Sequence, residues 1–408
     1  MESKYFIKTC ALIATEGSSL SDDFEISGGN PNITYYESVK SPSISVSIDF
    51  IDVDGVISRE GITGGEYLDL KITVPDFDDF EITPDKHFMM LNSVKNVKTS
   101  SNKQIATLEF VSVESIINET ARVSRRFTGN VSQIVKELMK DKKSIQTSKN
   151  LETDESFNKY SFVGNLKRPF DTIQWLCPKA ASTDKECGFL FYENLDGYFF
   201  KSIKGLLESD PSETYEKPEA PVDTDIKITE NNLDSSNDIG MNCRMGMYAN
   251  KTIYVDIENG ELETVDYKIS DLNLAKPPKL PAGLEDAPTR LMLRILDAGA
   301  LQKGSKKEEV EKRSELAVYQ NKSYVRNNLL FSQSINISIP LNTSLRAGDV
   351  INIKLPVKKD DKGSKTDSYG NERTNDPSGK YLVSELRHLI GGGSAETQLK
   401  LIRDVFTA

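Results

Sequence analysis

GEYLDLKI at residues 65–72 and GDVINIKL at residues 348–355 are two octets that agree position by position in residue class. Apolar residues recur at every second position of each octet, which is the period of a β-strand with one buried and one exposed face. The leading glycine suits a turn that needs a positive φ angle, and so does the acidic residue beside it. The octets therefore predict two equivalent strands, one towards each end of the chain.

The strands around the octets recur in the same order. One precedes each octet and two follow it, at 43–48, 86–90 and 106–110 in the first copy and at 334–339, 380–383 and 397–401 in the second. Strands of Ser and Ile can look alike by chance, but the glycine-led octets are more specific. We therefore predict a duplicated domain, each copy closed as a small antiparallel barrel or sandwich.

The region between the two copies has a different pattern. Apolar residues spaced three and four apart after Asn130 predict an amphipathic helix, and Pro169 is placed to open a second helix. Residues 188–200 predict a hairpin around Asp196-Gly197. A third helical region is expected from Thr289 to about Asn327, its Lys and Glu residues forming a solvated face.

These patterns predict a fold that is mainly β with α+β parts. Two similar antiparallel β-barrels would flank an α+β middle domain, and a helical insertion would interrupt the second barrel. The expected boundaries are, in that order, residues 1–112 for the first barrel, 225–260 with 328–408 for the second, discontinuous barrel, 113–224 for the middle domain and 261–327 for the helix-containing insertion.

Composition narrows the classes of function. The chain has 408 residues and a net charge of -11, from 62 acidic and 51 basic side chains, which disfavours tight binding to a phosphate backbone. No run is long enough to insert into a membrane, and no basic segment precedes the first apolar stretch as in a secretory signal. Four scattered cysteines without a CxxC pair fit reduced thiols in a protein made in the cytoplasm; a disulfide between Cys177 and Cys187 is the less favoured alternative.

Catalytic signals are weak. The two histidines, His87 and His388, lie in or beside predicted strands, where a structural role is more common than a ligand or a base. The common hydrolase, P-loop and dinucleotide motifs do not occur in the sequence. We therefore predict no enzymatic activity, no catalytic, cofactor-binding or metal site, and no cofactor.

Two acidic groups are the exceptions that need an interpretation. The first is Asp49, Asp52 and Asp54 before Gly55; a calcium loop here would place Phe50 and Gly61 at ligand positions, so a β-turn is favoured, with Asp54-Gly55 as a hairpin signal. The second is Asp76, Asp78, Asp79 and Glu81 after Pro75, which could bind a cation or act as paired carboxylates. A solvated loop is the favoured interpretation of this second group.

Residues 358–378 form a segment that is too polar to pack and too long for an ordinary hairpin connection. It is either disordered or ordered by a partner, and the sequence favours neither alternative.

Several segments together resemble a known family. They are residues 110–115, 122–129, 191–202, 345–351 and 378–383, and their order and spacing resemble the central baseplate hub protein of contractile-tailed (myovirus) bacteriophages, which is related in fold to the hub region of type VI secretion spike proteins. The similarity covers nearly the whole chain and is weakest over residues 256–320.

The resemblance implies a virion component of the tail baseplate, made in the host cytoplasm. Three copies of the chain, each with two tube-like barrels, would form a pseudo-sixfold ring between a trimeric cell-puncturing spike and the sixfold tail tube or its initiators. The genome would pass through the ring as cargo, with a tape-measure protein as a further candidate, so we expect a polar or acidic channel lining. Wall-degrading activity would belong to the spike. The alternatives are a peripheral tail adhesin and a carbohydrate-active tail protein that uses the acidic loop.

Overall fold

The computed structural model describes residues 5–29, 31–75, 77, 79–100, 103–218, 227–235, 238–257, 260–271, 287–301, 312–356 and 378–404. The strands among them are β1 Phe6–Ile13, β2 Phe24–Glu25, β3 Asn32–Ser38, β4 Ser45–Asp52, β5 Tyr67–Thr73, β6 Phe80–Ile82, β7 Met89–Ser100, β8 Lys103–Ser112, β9 Arg126–Asn130, β10 Leu151–Thr153, β11 Lys159–Val163, β12 Phe189–Asn194, β13 Gly197–Ser202, β14 Glu213–Glu216, β15 Glu230–Ser235, β16 Ala249–Asp256, β17 Glu261–Lys268, β18 Arg290–Ile295, β19 Gln333–Pro340, β20 Val350–Lys354, β21 Gly379–Gly391 and β22 Ser394–Arg403. The α-helices are α1 Val56–Glu60, α2 Val113–Thr120, α3 Val131–Lys140, α4 Pro169–Leu176, α5 Ile203–Glu208, α6 Ile239–Met245, α7 Ala298–Leu301 and α8 Arg313–Leu330.

One large sheet contains both copies of the repeat. Its order is β15-β19-β22-β21-β3-β4-β8-β7-β5-β1-β2, with β6 on β5, β20 on β21 and β14 on β20. Every pair in it is antiparallel except β14 with β20. The prediction of a mainly β, antiparallel fold is confirmed. Two closed barrels are not confirmed, because over the described ranges the strands of both copies belong to a single sheet that is open at β15 and β2.

The two copies share a strand order. The first copy runs β3-β4-β8-β7-β5-β1 and the second runs β15-β19-β22-β21-β20-β14. They differ at their last pair, since β1 is antiparallel to β5 whereas β14 is parallel to β20. The duplication predicted from the octets is therefore present as two copies of one strand order within a single sheet.

A β-bulge recurs at the same place in both copies and fixes their alignment. It lies between Leu91 and Ser93 where β7 pairs with β8, and between Val383 and Glu385 where β21 pairs with β22. Superposing the bulges keeps the octets as aligned from sequence but shifts the first and third strands by two residues. Because two residues is the side-chain period of a strand, every side chain keeps its predicted face.

The glycines that open the octets have the predicted conformation. Gly65 has φ +105° and Gly348 has φ +99°, a region that L-residues rarely adopt. The acidic neighbour also stabilises the second turn, because the Arg346 backbone N–H donates to the Asp349 carboxylate at 2.8 Å.

A single hydrophobic core underlies both copies. Alternate residues of β4, including Val46 and Ile48, and of β19, including Ile335 and Ile337, are buried in one continuous cluster. The two copies therefore do not have separate cores, as two barrels would.

The middle region folds as predicted from its sequence. Asn130 and Gln133 form a capping box at the start of α3, which buries its apolar stripe. Pro169 opens α4, and β12 and β13 pair around Asp196-Gly197. A second core cluster joins α3, α4 and this hairpin.

Two local predictions are wrong. Asp54-Gly55 does not turn a hairpin; Gly55, at φ +64°, leads into α1 instead, because the Asp52 carboxylate binds the first backbone N–H groups of that helix. The region from Thr289 is not helical throughout, since β18 precedes α7 and α8. Its residues alternate, with Met292 buried and Leu291 and Leu293 exposed, which is a strand period. The four domain boundaries stay predictions.

Candidate functional site: the polar face and edges of the central sheet

The central sheet has a second face that turns away from the core. On it lie the alternate side chains Asn32, Thr34, Tyr36, Ser45, Ser47, Asp49, Ile51, Ser93, Lys95, Lys98, Ile105, Thr107, Glu109, Val111, Glu230, Asn232, Asn336, Ser338, Glu385, Arg387, Leu389, Glu396, Gln398 and Lys400. We call this set the polar face. It spans both copies without interruption, because β3 and β21 pair between them.

Cross-strand bonds tie the polar face together. The Tyr36 hydroxyl donates to Glu385 at 3.0 Å, and the Lys400 ammonium lies 3.7 Å from the same carboxylate. Lys95 lies 2.6 Å from Glu109. Five carboxylates and four cationic groups are present among the members named above, so the face is polar and carries no basic excess.

The junction of β3 with β21 is fully buried on its inner side. Tyr35 and His388 lie opposite each other, with ring centroids 5.7 Å apart, and neither is exposed. The His388 Nδ1 is 2.9 Å from the Thr397 hydroxyl. Burial in this apolar setting lowers the pKa of His388 to about 3, so the ring is neutral.

Glu37 is the acidic residue at the centre of the junction. Its carboxylate accepts hydrogen bonds from the Tyr35 hydroxyl at 2.6 Å and from the backbone N–H groups of Leu195 at 2.8 Å and Ala347 at 2.7 Å. Complete burial raises the pKa of Glu37 to about 7, against the opposing charge of Arg346. Glu37 thereby joins the first copy, the β12–β13 hairpin and the second copy.

A second buried ionic group joins the middle region to the first copy. The Lys149 ammonium lies 2.8 Å from Glu114 and 2.7 Å from Glu193, and Glu193 also accepts from Ser112 at 2.6 Å. Together with the Glu37 contacts, this group locks the hairpin against both copies.

The outer edges of the two copies are open, in contrast to the junction. Over the described residues, β15 pairs with β19 on one side only, and β7 from Asn92 onward pairs with β8 alone. Leu233 on β15 is 45% exposed and Val97 on β7 is 44% exposed.

The histidines singled out from the sequence lie in the fold, one in each copy. His87 is buried just before β7 and accepts a hydrogen bond from the Thr83 backbone N–H at 3.1 Å. Burial lowers the pKa of His87 to about 4. His388 lies at the junction of β3 with β21, 301 residues further along the chain, and the two histidines have different neighbours. That neither histidine is catalytic stays a prediction.

The acidic residues singled out from the sequence are engaged within the fold. Asp52 caps α1, and Asp49 accepts from the Thr107 hydroxyl. Asp79 lies 3.2 Å from the Lys8 ammonium, and Glu81 pairs with Lys71. Asp76 and Asp78 lie outside the described residues. Within the described ranges no group of three His, Cys, Asp or Glu side chains is arranged to hold a metal ion.

The cysteines and the polar loop complete the sequence-derived candidates. All four cysteines are free thiols; Cys10, Cys177 and Cys187 are buried, and Cys243 is half-buried. Of residues 358–378, all but Ser378 lie outside the described ranges. The Ser378 hydroxyl accepts from the Leu355 backbone N–H at 3.0 Å.

Sequence reasoning missed Glu37 and the group around Lys149. A signal existed for Glu37, because Ile33, Tyr35 and Glu37 share the inward face of one alternating strand, and a charge there implies buried partners. No comparable signal marks Lys149, whose partners come from elements distant in sequence.

Comparisons with known proteins support the fold. No protein-family model and no curated protein sequence matches the chain. Among solved structures, a tail protein from Neisseria meningitidis superposes with a TM-score of 0.55 at 10% identity, covering 99% of this chain and 98% of that one. The 43 kDa tail protein of prophage MuSo2 from Shewanella oneidensis has a TM-score of 0.50 at 8% identity, covering 98% and 99%.

A third structure extends the comparison beyond phage tails. A chain of the Francisella PdpA–VgrG complex has a TM-score of 0.50 at 11% identity; the match covers 99% of this chain and 53% of that one. The chain therefore has the fold of phage tail proteins and of a part of that complex. The family resemblance drawn from the sequence is confirmed at the level of the fold. No helix in the described ranges is long and apolar enough to cross a membrane.

Proposed function

We propose that the chain is a structural hub of a phage tail baseplate, and that three copies form a ring of six like sheets around a channel. One observation carries this proposal: the two copies share one strand order and are joined edge to edge by β3 and β21. A joint that repeats the same unit side by side is the geometry from which a closed ring is built.

Duplication within the chain would reconcile two symmetries. Three chains contribute six copies, so the ring has threefold symmetry for a trimeric cell-puncturing spike and pseudo-sixfold symmetry for the tail tube or its initiators. The tail-protein fold and the similarity to a chain of a VgrG complex support a spike-type partner. The chain would then be located in the virion, at the tail baseplate, after synthesis in the host cytoplasm.

The polar face is the proposed channel lining. It is rich in Ser, Thr, Asn and Gln, and its five carboxylates outnumber its four cations. A basic lining would hold passing DNA through its phosphates, so this composition suits passage of the genome and of a tape-measure protein. DNA is cargo in this proposal and is not a bound ligand.

We assign no catalytic role to the chain. The carbohydrate-active alternative needs two free carboxylates in the acidic loop, but Asp79 and Glu81, its two described members, are both paired with lysines. The other alternative is an adhesin, which would be located at the periphery of the tail and not at the centre of the baseplate.

The oligomeric state tests the proposal directly. Light scattering should give a particle three times the 45.5 kDa chain mass, alone or after the spike protein is added. A monomer that ignores the spike would contradict the proposal. A peptidoglycan-hydrolysis assay on the unmutated protein separates the enzyme alternative, because hydrolysis that is lost in Asp79→Asn would favour it. Immunolabelling of a particle at the tail periphery would favour an adhesin.

A further inference from the structure

We infer that the ring closes by antiparallel pairing of β15 of one chain with β7 of the next chain. This inference rests on the proposed ring and names the surfaces that build it. The partner is a second copy of the chain, and the contact is head to tail, which is the type of contact that can close into a ring; the number of chains, three, is that of the proposed function.

The junction inside the chain is the template for the junction between chains. Strand β3 lies beside β4 in the first copy and reaches across to β21 of the second. In the second copy β15 takes the place of β3, and in the first copy β7 takes the place of β21. If neighbouring chains in the ring are joined in the same way as the two copies within a chain, β15 of one chain lies beside β7 of the next chain.

Residues at the outer edges of β15 and β7 are more exposed than their equivalents at the β3–β21 junction. Tyr35 on β3 is fully buried, whereas Leu233, at the equivalent position of β15, is 45% exposed. Leu386 on β21 is fully buried, whereas Val94, at the equivalent position of β7, is only half-buried. In both cases the residue at the β3–β21 junction is covered by a neighbouring strand, and among the described residues of one chain no strand covers its equivalent at the outer edge.

The two edges are complementary in charge. Lys95 and Lys98 are exposed on β7, and Glu230 is exposed on β15. Lys95 already pairs with Glu109 on its own sheet, so Lys98 is the cation at this edge for which no ion pair is described. An edge of exposed backbone groups flanked by opposite charges is selective for its counterpart over a second copy of itself.

The shared bulge sets the register. Superposing β7 on β21, and allowing for the second bulge of β7 between Lys95 and Lys98, puts Lys98 in the place of Leu389. Superposing β15 on β3 puts Asn232 in the place of Thr34. Since Leu389 and Thr34 are opposite each other, Lys98 should lie opposite Asn232 of the next chain, with Glu230 as its diagonal neighbour.

Cysteine cross-linking of the full chain tests this register. In a Cys243→Ser background, Lys98→Cys with Asn232→Cys places two thiols at the spacing of a directly opposed pair, within the range a disulfide can span. Mild oxidation should give covalent trimers on a non-reducing gel. The matched control is Lys98→Cys with Asn231→Cys, whose second thiol lies on the other face of β15 and should cross-link much less.

The outcomes separate this inference from the proposed function. A trimer in solution that gives no enriched cross-link for the Lys98–Asn232 pair overturns the edge assignment and leaves the ring standing. Equal cross-linking of both cysteine pairs overturns the register. A monomer that does not cross-link contradicts the ring and the edges together.

Charge reversal gives a second readout that does not depend on oxidation. Lys98→Glu should weaken trimer formation about threefold, and adding Glu230→Lys in the same chain should restore it. An unchanged trimer in the single variant, or no recovery in the double variant, counts against the pairing.

Discussion

Strands β3 and β15 occupy the same place in two copies of one sheet, yet their surroundings differ. Strand β3 is covered on both edges, and its Tyr35 is completely buried. Within the described part of the chain, strand β15 is covered on one edge, and its Leu233 is 45% exposed. The duplicated sequence thus fixes the order of strands, while the position of each copy in the chain decides which side chains can be buried.

The difference between the two strands shows that the β3–β21 junction can bury polar side chains. Because β21 is always present beside β3, the junction can bury Glu37 with three hydrogen-bond donors in place, and His388 with its Nδ1 beside the Thr397 hydroxyl. Over the described residues of the single chain, the outer edges are open to water, and they carry the exposed Lys98 and Glu230 instead. Titratable side chains that are buried at the junction and exposed at the outer edges should respond differently to substitution.

The largest loss of stability is expected for a substitution at the centre of the β3–β21 junction. Glu37→Met leaves the N–H groups of Leu195 and Ala347 and the Tyr35 hydroxyl without their acceptor, so the free energy of unfolding should fall by about 3–5 kcal/mol. Guanidinium denaturation measures it. The control is Glu109→Met on the polar face, which should cost less than about 1 kcal/mol. Equal losses of unfolding free energy in the two variants would mean that the buried junction contributes no more to stability than the polar face does.

The octet glycines give the next largest effect and compare the copies directly. Gly65→Ala adds a methyl group in open space, so only the strained φ angle should count, at about 1–2 kcal/mol. Gly348→Ala adds the same strain and also meets the Tyr192 side chain, whose hydroxyl oxygen is the nearest atom and whose Cζ would lie 2.9 Å from the new carbon. It should therefore cost about 3 kcal/mol or more in the same denaturation assay. If Gly348→Ala loses no more unfolding free energy than Gly65→Ala, the φ angle of the turn accounts for the cost and the contact with Tyr192 does not.

The histidines predict a pH dependence of stability. The folded protein holds His388 neutral, with a pKa of about 3, whereas an unfolded histidine titrates near pH 6.5. The stability from neutral His388 is complete above pH 6.5 and is lost as the pH falls towards 3, by about 1.4 kcal/mol per pH unit.

Substitution at the two histidines measures this dependence. Between pH 6.5 and 5 the unmutated protein should lose about 2 kcal/mol through His388, and His388→Gln should remove that part of the loss. His87→Gln in the first copy should act in the same direction, since the pKa of His87 is about 4. An unchanged pH slope in His388→Gln would show that the ring is not held neutral at the junction.

The smallest effect is expected on the polar face. Glu385→Gln removes an ion pair with Lys400, whose nitrogen is 3.7 Å away, in a partly exposed setting. The free energy of unfolding should change by no more than about 0.5 kcal/mol. A loss of several kcal/mol would mean that the polar face holds the fold together and is less suited to line a channel.

Much of the fold was predictable because its signals are local. The octets carry strand periodicity and a glycine turn within eight residues, and Asn130 and Pro169 mark the starts of α3 and α4. The prediction at Asp54-Gly55 was wrong because the Asp52 carboxylate binds the backbone N–H groups of α1, a capping contact that competes with the turn. The strand β18 was missed because nearby charged residues outweighed its short alternation.

The candidate site was less predictable because its contacts are distant in sequence. Glu37 binds Ala347, 310 positions away, and Lys149 binds Glu193. The pairing of β3 with β21 also has no local signal, so two closed barrels were expected where the described strands of both copies form one open sheet. Alternation shows which face of a strand is buried, but it does not show which strand lies alongside.

The most direct test of the account is an electron-microscopy reconstruction of the assembled oligomer. We predict three chains in a ring, with the strand sets β3–β4–β8–β7 and β15–β19–β22–β21 at the same radius and the polar face towards the axis. Sheets at different radii, or a polar face turned outward, would contradict it.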